Sequence, residues 1–270
     1  MNTKKVKNIV IIIFLLVDIA FGALLISDKA AERRHESRTL SDLVEVMEKN
    51  GVAFLPESIP ENPSLCVLKC GRDLSAEAAI AASLIGECSA QDLGGGLYVY
   101  ENANGSARFR SNGEFEAVLS DRRGAAQQDI VSDALSVLKS AGIPVNQRYS
   151  ALENGSVSFT CTVDGTDIFG CSVTLTYSSG RLSSVSGTRP TGSPQYRTAD
   201  PLISAPTALV RFLSLMSSGG YICTQIEAMD ICYFMSVSTS GLCTLQPVWQ
   251  IYTDAGTFYI NAVSGALVSA

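Results

Sequence analysis

"SVSFTCTVDGTDIFGCSVTLTYSSGRLSSVSGT", residues 156–188, decides the fold. Apolar, β-branched and aromatic residues recur in three runs, Ser156–Val163, Ile168–Tyr177 and Arg181–Thr188. Alternation with a period of two marks strands that bury one face. Asp164-Gly165 and Ser179-Gly180 separate the runs, and such dipeptides supply the positive φ angles that tight hairpins require. The stretch predicts three antiparallel strands.

The segments on either side repeat this design. Upstream, Ala126–Ala141 sets Ile130, Ala134, Val137 and Leu138 on one helical face, and Gly142 and Pro144 close it. Earlier still, a helix over Ser75–Glu87 precedes strands at Leu97–Glu101, Ala107–Ser111 and Glu114–Ser120, with turns at Asn104-Gly105 and Asn112-Gly113. A polar linker, Arg189–Pro201, leads to a third helix at Ala205–Ser217, with Leu209, Phe212, Leu213 and Met216 on one face. Strands near Ile222–Met229, Ile231–Val237, Val248–Tyr252 and Phe258–Ala262 follow it. In the last pair Trp249 and Ile251 face Phe258 and Ile260 across Asp254-Ala255-Gly256. That hairpin reads as closure of a core, with a partner-binding surface as the other reading.

The N-terminal end reads differently. After Lys4, Lys5 and Lys7, the 18 residues Ile9–Ile26 carry one ionisable side chain, Asp18. A helix of that length is about 27 Å long and spans a thin hydrocarbon core. Its Ile, Leu, Val and Phe content outweighs the roughly 3 kcal/mol insertion penalty of an internal Asp. A signal peptide cleaved near Ala20 and Gly22 is the rival, but the apolar run continues past that site. The leading lysines put residues 1–8 in the cytoplasm and the remainder outside. Leu40, Leu43, Val44 and Met47 then mark a helical stalk over 27–51. The expected fold class is α+β, with a single N-terminal transmembrane helix at 9–26 and repeated helix-plus-antiparallel-sheet modules. The modules fall at 52–122, 123–190 and 203–270, with a linker at 191–202.

The chain has a net charge of −6, although its first 29 residues hold four basic and two acidic groups. So acidic a globular part argues against nucleic acid and anionic lipid head groups as partners. Eight cysteines outside the membrane are compatible with disulfides or, in such apolar stretches, with buried thiols. No C-x-x-C occurs, and the single His35 cannot complete a histidine-based zinc site.

Catalytic patterns are thin. Ser136 and Lys139 have S-x-x-K spacing, which puts hydroxyl and amine on one helical face, but the companion S-D-N and K-T-G motifs are absent. Asn104-Gly-Ser106 and Asn154-Gly-Ser156 match glycosylation sequons and are better explained as turns. Asp164, Asp167 and Asp230 read as solvated carboxylates at turns and strand edges. Asp18 stands apart, because a carboxyl in hydrocarbon seeks a polar partner. With Phe14, Phe21 and Gly22 it forms a candidate helix-docking face.

Three stretches carry a family resemblance: "KKVKNIVIIIFLLVDIAFG" at 4–22, "EKNGVAFLPESIP" at 48–60, and the end. The end comprises "SAPTALVRFLSLMSS" (204–218), "YICTQIEAM" (221–229) and "LQPVWQIYTDAGTFYINAVSGAL" (245–267). Together they resemble the YycI family, membrane-anchored regulators of the WalK-type sensor histidine kinase, and the Pro-x-Trp hairpin also looks like PepSY-type modules. The chain departs from the family in lacking an early Trp and in its cysteine load. The resemblance implies an adaptor without enzymatic activity or cofactor, whose helix packs beside the kinase and whose extracytoplasmic part pairs with a YycH-like protein. A PepSY-like envelope module that binds and inhibits a protease is the alternative, and a Ser–Lys hydrolase the outsider.

Overall fold

A computed structural model of the chain describes residues 43–54, 59–60, 65–123, 129–196, 200–219, 222–239 and 241–268. Helix α1 covers 43–49. It is followed by β1 (Ala53–Phe54), β2 (Leu68–Cys70), α2 (Leu74–Ile85), β3 (Ser89–Asp92), β4 (Leu97–Asn102), β5 (Gly105–Arg110) and β6 (Glu114–Arg123). Next come α3 (Ile130–Ser140), β7 (Val145–Glu153), β8 (Ser156–Val163), β9 (Thr166–Ser178) and β10 (Arg181–Thr188). The chain closes with β11 (Pro194–Tyr196), α4 (Ala205–Gly219), β12 (Gln225–Val237), β13 (Cys243–Thr253) and β14 (Gly256–Asn261).

Local chemistry sets these elements. Asp73 caps α2 by accepting the Ala76 N–H, and Asp129 caps α3 by accepting the Val131 and Ser132 N–H groups. At Asn154-Gly155, Asp164-Gly165 and Ser179-Gly180 both turn residues have positive φ. Those are the two-residue turns whose twist matches that of the flanking strands.

The expected fold class is corrected. The strands do not form separate antiparallel modules. All fourteen strands among the described residues join one mixed sheet, in the order β11-β2-β13-β12-β9-β10-β6-β5-β4-β3, with β8 and then β7 off β9, β14 on β13 and β1 on β12. The first and second blocks fuse because β6 pairs with β10 along Glu114–Val118, which covers an edge each would otherwise expose. The third block joins through parallel pairing of Tyr233 and Phe234 on β12 with Ile168 and Phe169 on β9. β1 is also parallel to β12. No helix among the described residues is long and apolar enough to cross a membrane. The span expected at 9–26 lies outside the described residues.

Two cores lie under the sheet. The first packs Ile80, Ala81, Leu84 and Ile85 of α2, and Ala134 and Leu138 of α3, on Phe109, Phe159, Leu175 and Val185. The Tyr177 hydroxyl donates to Asp133 Oδ2 at 2.7 Å and ties α3 to β9. The second packs Leu43 and Met47 of α1, and Leu209, Phe212, Leu213 and Met216 of α4, on Met229, Trp249, Ile251 and Ile260.

One ion pair is built into the first core. Arg72 Nε and Nη2 donate to both oxygens of Glu77, at 2.8 and 3.0 Å. Nη1 and Nη2 also donate to the Gly96 and Phe109 carbonyls, at 2.6 and 3.2 Å, and the group lies 4.9 Å from the Tyr98 ring centroid. Glu77 is 1% exposed, so losing its partner would strand a charge out of water. The Lys49–Glu45 pair is shorter, at 2.6 Å, yet both side chains are mostly exposed and solvent screens it. Arg72→Ala is expected to cost about 3–5 kcal/mol in urea unfolding, and Lys49→Ala less than about 0.5 kcal/mol. Equal losses would contradict this assignment.

Candidate functional site

The C-terminal hairpin presents different residues on its two faces. Trp249, Ile251 and Ile260 are fully buried under α4, and Phe258 is half-buried with its ring 5.2 Å from that of Phe212. The Trp249 indole N–H donates to the Ile203 carbonyl at 3.0 Å, which anchors the chain entering α4. These four residues face the core and not the solvent. The intervening positions, Val248, Gln250, Tyr252 and Tyr259, face the other way, where no helix covers the sheet among the described residues.

That second face carries a small aromatic cluster. Phe169 stacks on Tyr259 with ring centroids 3.9 Å apart and lies 6.1 Å from Phe234. Cys232 and Val248 are buried beneath them. Beside the cluster a cleft of about 300 Å³ opens between β9, β12 and β13, lined by Asp167, Phe169, Cys232, Gln250 and Tyr252 among others. β9 shapes the cleft by changing neighbours at Gly170, whose φ of +79° would strain any residue with a Cβ. Asn146 Nδ2 donates to both Asp167 oxygens, at 3.0 and 3.2 Å, and Gln250 Nε2 donates to the Tyr259 hydroxyl at 3.2 Å.

The cleft's electrostatics favour neutral groups. Burial pushes the Tyr259 phenol up to about 12. Burial, then the Asp230 and Asp167 carboxylates, push the Cys232 thiol up to about 12. Burial also raises Tyr252. At neutral pH these groups keep their protons, and a protonated thiol is a poor nucleophile and a poor metal ligand. No group of three or more His, Cys, Asp or Glu residues is placed to hold a metal ion among the described residues. What the cleft offers is an aromatic wall and a few hydrogen-bonding groups.

The other candidates are dispersed. Ser136 and Lys139 share the exposed side of α3, and Ser136 O accepts from the Ser140 hydroxyl at 2.9 Å. Asp164 sits in a turn, and Asp230 accepts the N–H of its neighbour Ile231 at 2.8 Å. Asn104 lies in a turn and donates to the Ile85 carbonyl at 3.2 Å. All eight cysteines are free thiols, six of them buried. Phe14, Asp18, Phe21, Gly22 and His35 lie outside the described residues.

Asp254, beside the hairpin turn, carries a structural clamp that no sequence pattern announces. It accepts the Thr224 hydroxyl at 2.5 Å and the backbone N–H groups of Thr224 and Gln225. The Thr224 hydroxyl, and then these backbone donors, hold its carboxyl well below the usual carboxylate range, at about 2.

No protein-family model matches the chain, and no curated protein matches it. Among solved structures, an uncharacterized protein from Eubacterium rectale ATCC 33656 is similar over 76% of this chain and 85% of its own, at 11% identity and a TM-score of 0.46. The C-terminal domain of Bacillus megaterium YpeB is similar over 74% of this chain and 97% of its own, at 13% identity and a TM-score of 0.39. Neither is a YycI protein by name, and likenesses this distant lend no function to this chain.

Two outcomes follow from the hairpin. Trp249→Ala is expected to destabilise the fold by about 3–5 kcal/mol, as loss of a buried aromatic does. Tyr252→Ala, on the opposite face, is expected to cost about 1 kcal/mol or less. Paired melting curves check the contrast, and similar losses would show that the faces are misassigned. The Asp254 clamp has a pH signature. Its carboxyl titrates lower when folded, so its stabilisation is complete above pH about 4 and lost as pH falls through about 2. The melting temperature of Asp254→Asn should lie below wild type at pH 7, with the gap closing toward pH 2. A gap independent of pH would remove the clamp.

Proposed function

We propose that the chain is a non-catalytic, PepSY-like envelope module that engages a protein partner, a protease, through the helix-free face of its C-terminal sheet. The observation that carries this reading is the cleft walled by Phe169, Gln250 and Tyr252 beside the Phe234–Phe169–Tyr259 stack. Half-exposed aromatics on a rigid sheet act as binding anchors, since they bury much area while losing little side-chain entropy. At about 300 Å³ the cleft lies at the small end of ligand pockets and takes an apolar side chain of an extended segment. Gln250 and Asp167 offer hydrogen bonds to that segment's main chain. The neutral phenols and thiol suit a polypeptide better than an anion or a metal. The envelope and the protease come from the resemblance to PepSY-type modules.

The test adds purified protein to an envelope fraction that degrades fluorescent casein. Wild type is expected to slow hydrolysis in a saturable way. Tyr252→Ala and Gln250→Ala together should raise the half-inhibitory concentration at least tenfold, about 1.4 kcal/mol, without lowering the melting temperature by more than a few degrees. No inhibition by wild type, or undiminished inhibition by the double variant, would sink the reading.

A further inference from the structure

The third residue of β2 stands opposite the first of β13. Cys70 and Cys243 are direct partners in that antiparallel register, followed by Lys69–Thr244 and Leu68–Leu245. Both thiols are fully buried. The neighbouring Cys70 thiol lowers the Cys243 thiol from its ordinary range, with burial opposing and the Thr191 backbone helping. Cys243 beside it, and then burial, push the Cys70 thiol up.

Geometry singles this pair out. Directly opposed residues of an antiparallel ladder have Cα atoms about 4.5 or 5.5 Å apart and side chains on one face. Both separations lie within the roughly 4.4–6.8 Å that a disulfide spans. None of the other six cysteines has a cysteine as its register partner among the described residues. Cys161 donates to the Thr188 carbonyl, Cys223 to that of Gln225, and Cys171 to the Met235 sulfur at 3.4 Å.

We propose that Cys70 and Cys243 form a redox pair, which a small-molecule disulfide oxidant closes into a bond that staples β2 to β13. The Cys243 thiolate attacks one sulfur of the oxidant, whose S–S bond breaks to release one thiolate. Cys70 then loses its proton and attacks the Cys243 sulfur of the mixed disulfide, and the second oxidant half leaves and takes up a proton. Two protein thiols are oxidised and one oxidant disulfide is reduced to two thiols. Access comes from the brevity of β2, which is held by three register pairs to β13 and three to β11. A ladder this short parts far more readily than the whole sheet unfolds.

The test compares the full chain in oxidised glutathione with the same chain in dithiothreitol. Non-reducing peptide mapping should find the Cys70 and Cys243 peptides linked in most oxidised molecules, and equally linked in Cys171→Ser. The melting temperature should be about 5–10 °C higher in the oxidised sample. The inference is overturned if both thiols of the oxidised sample still alkylate after unfolding, or if either is linked to Cys171 instead. Peptide mapping of the unmodified chain decides between these outcomes, so the test stands even if Cys70→Ser or Cys243→Ser fails to fold.

Discussion

The architecture depends on one strand that has to satisfy two sets of neighbours. β9 gives one edge to β8, and divides the other between β12 at Ile168–Phe169 and β10 at Val173–Ser178. A regular strand follows one twist and cannot lie flat in two ladders that diverge. Gly170, at positive φ, takes up the change of direction between them. Upstream of that bend the strand builds the aromatic cleft, and downstream it runs through the first core. β13 shows the same economy, giving one edge to β12 and dividing the other between β2 and β14. With two long strands shared in this way, the helix-and-strands blocks become parts of one sheet.

Strand alternation then assigns the roles of neighbouring residues. Along β13, Trp249 and Ile251 face α4, whereas Gln250 and Tyr252 line the cleft on the other side. A slip of one residue would exchange the two sets. The register is held by the Trp249 indole on the Ile203 carbonyl and by the Asp254 clamp on Thr224 and Gln225. Core and surface are thus fixed by the same contacts, and the cleft inherits its rigidity from the tryptophan behind it.

The parts of this arrangement that are legible in sequence are those governed by local rules. β8 and β10 lie where alternation and Xaa-Gly turns put them, and α4 buries the four residues its periodicity names. β12 is one strand where two are expected, because Asp230 turns outward and binds its own neighbour's N–H. β7, Val145–Glu153, leaves no periodic signal because it is polar, mostly exposed and paired to β8 alone among the described strands. β1, β2 and β11 are too short for any period to show. The cleft residues are hidden for another reason. Tyr252 and Gln250 gain meaning only once β9 lies parallel to β12, a contact between residues far apart in the chain. No spacing rule sets Cys70 opposite Cys243 either.

β13 joins the two cores. Its first residues, Cys243 and Leu245, lie in the first core opposite Cys70 and Leu68 of β2, which leads directly into α2, and its later residues Trp249 and Ile251 lie in the second. Within eight residues the chain passes from Cys70, opposite Cys243, through Arg72 and the helix cap Asp73 to the buried Glu77. The Asp73 N–H also bonds the Thr191 carbonyl at 3.0 Å, which pins the segment joining β10 to β11 against the same point. Complete displacement of β2 would therefore pull on a capped helix and on an ion pair that cannot be opened without stranding a charge, whereas the three-pair ladder itself can part locally with both left in place. A three-residue strand is a weak element alone, and the groups on either side of it return it to its place.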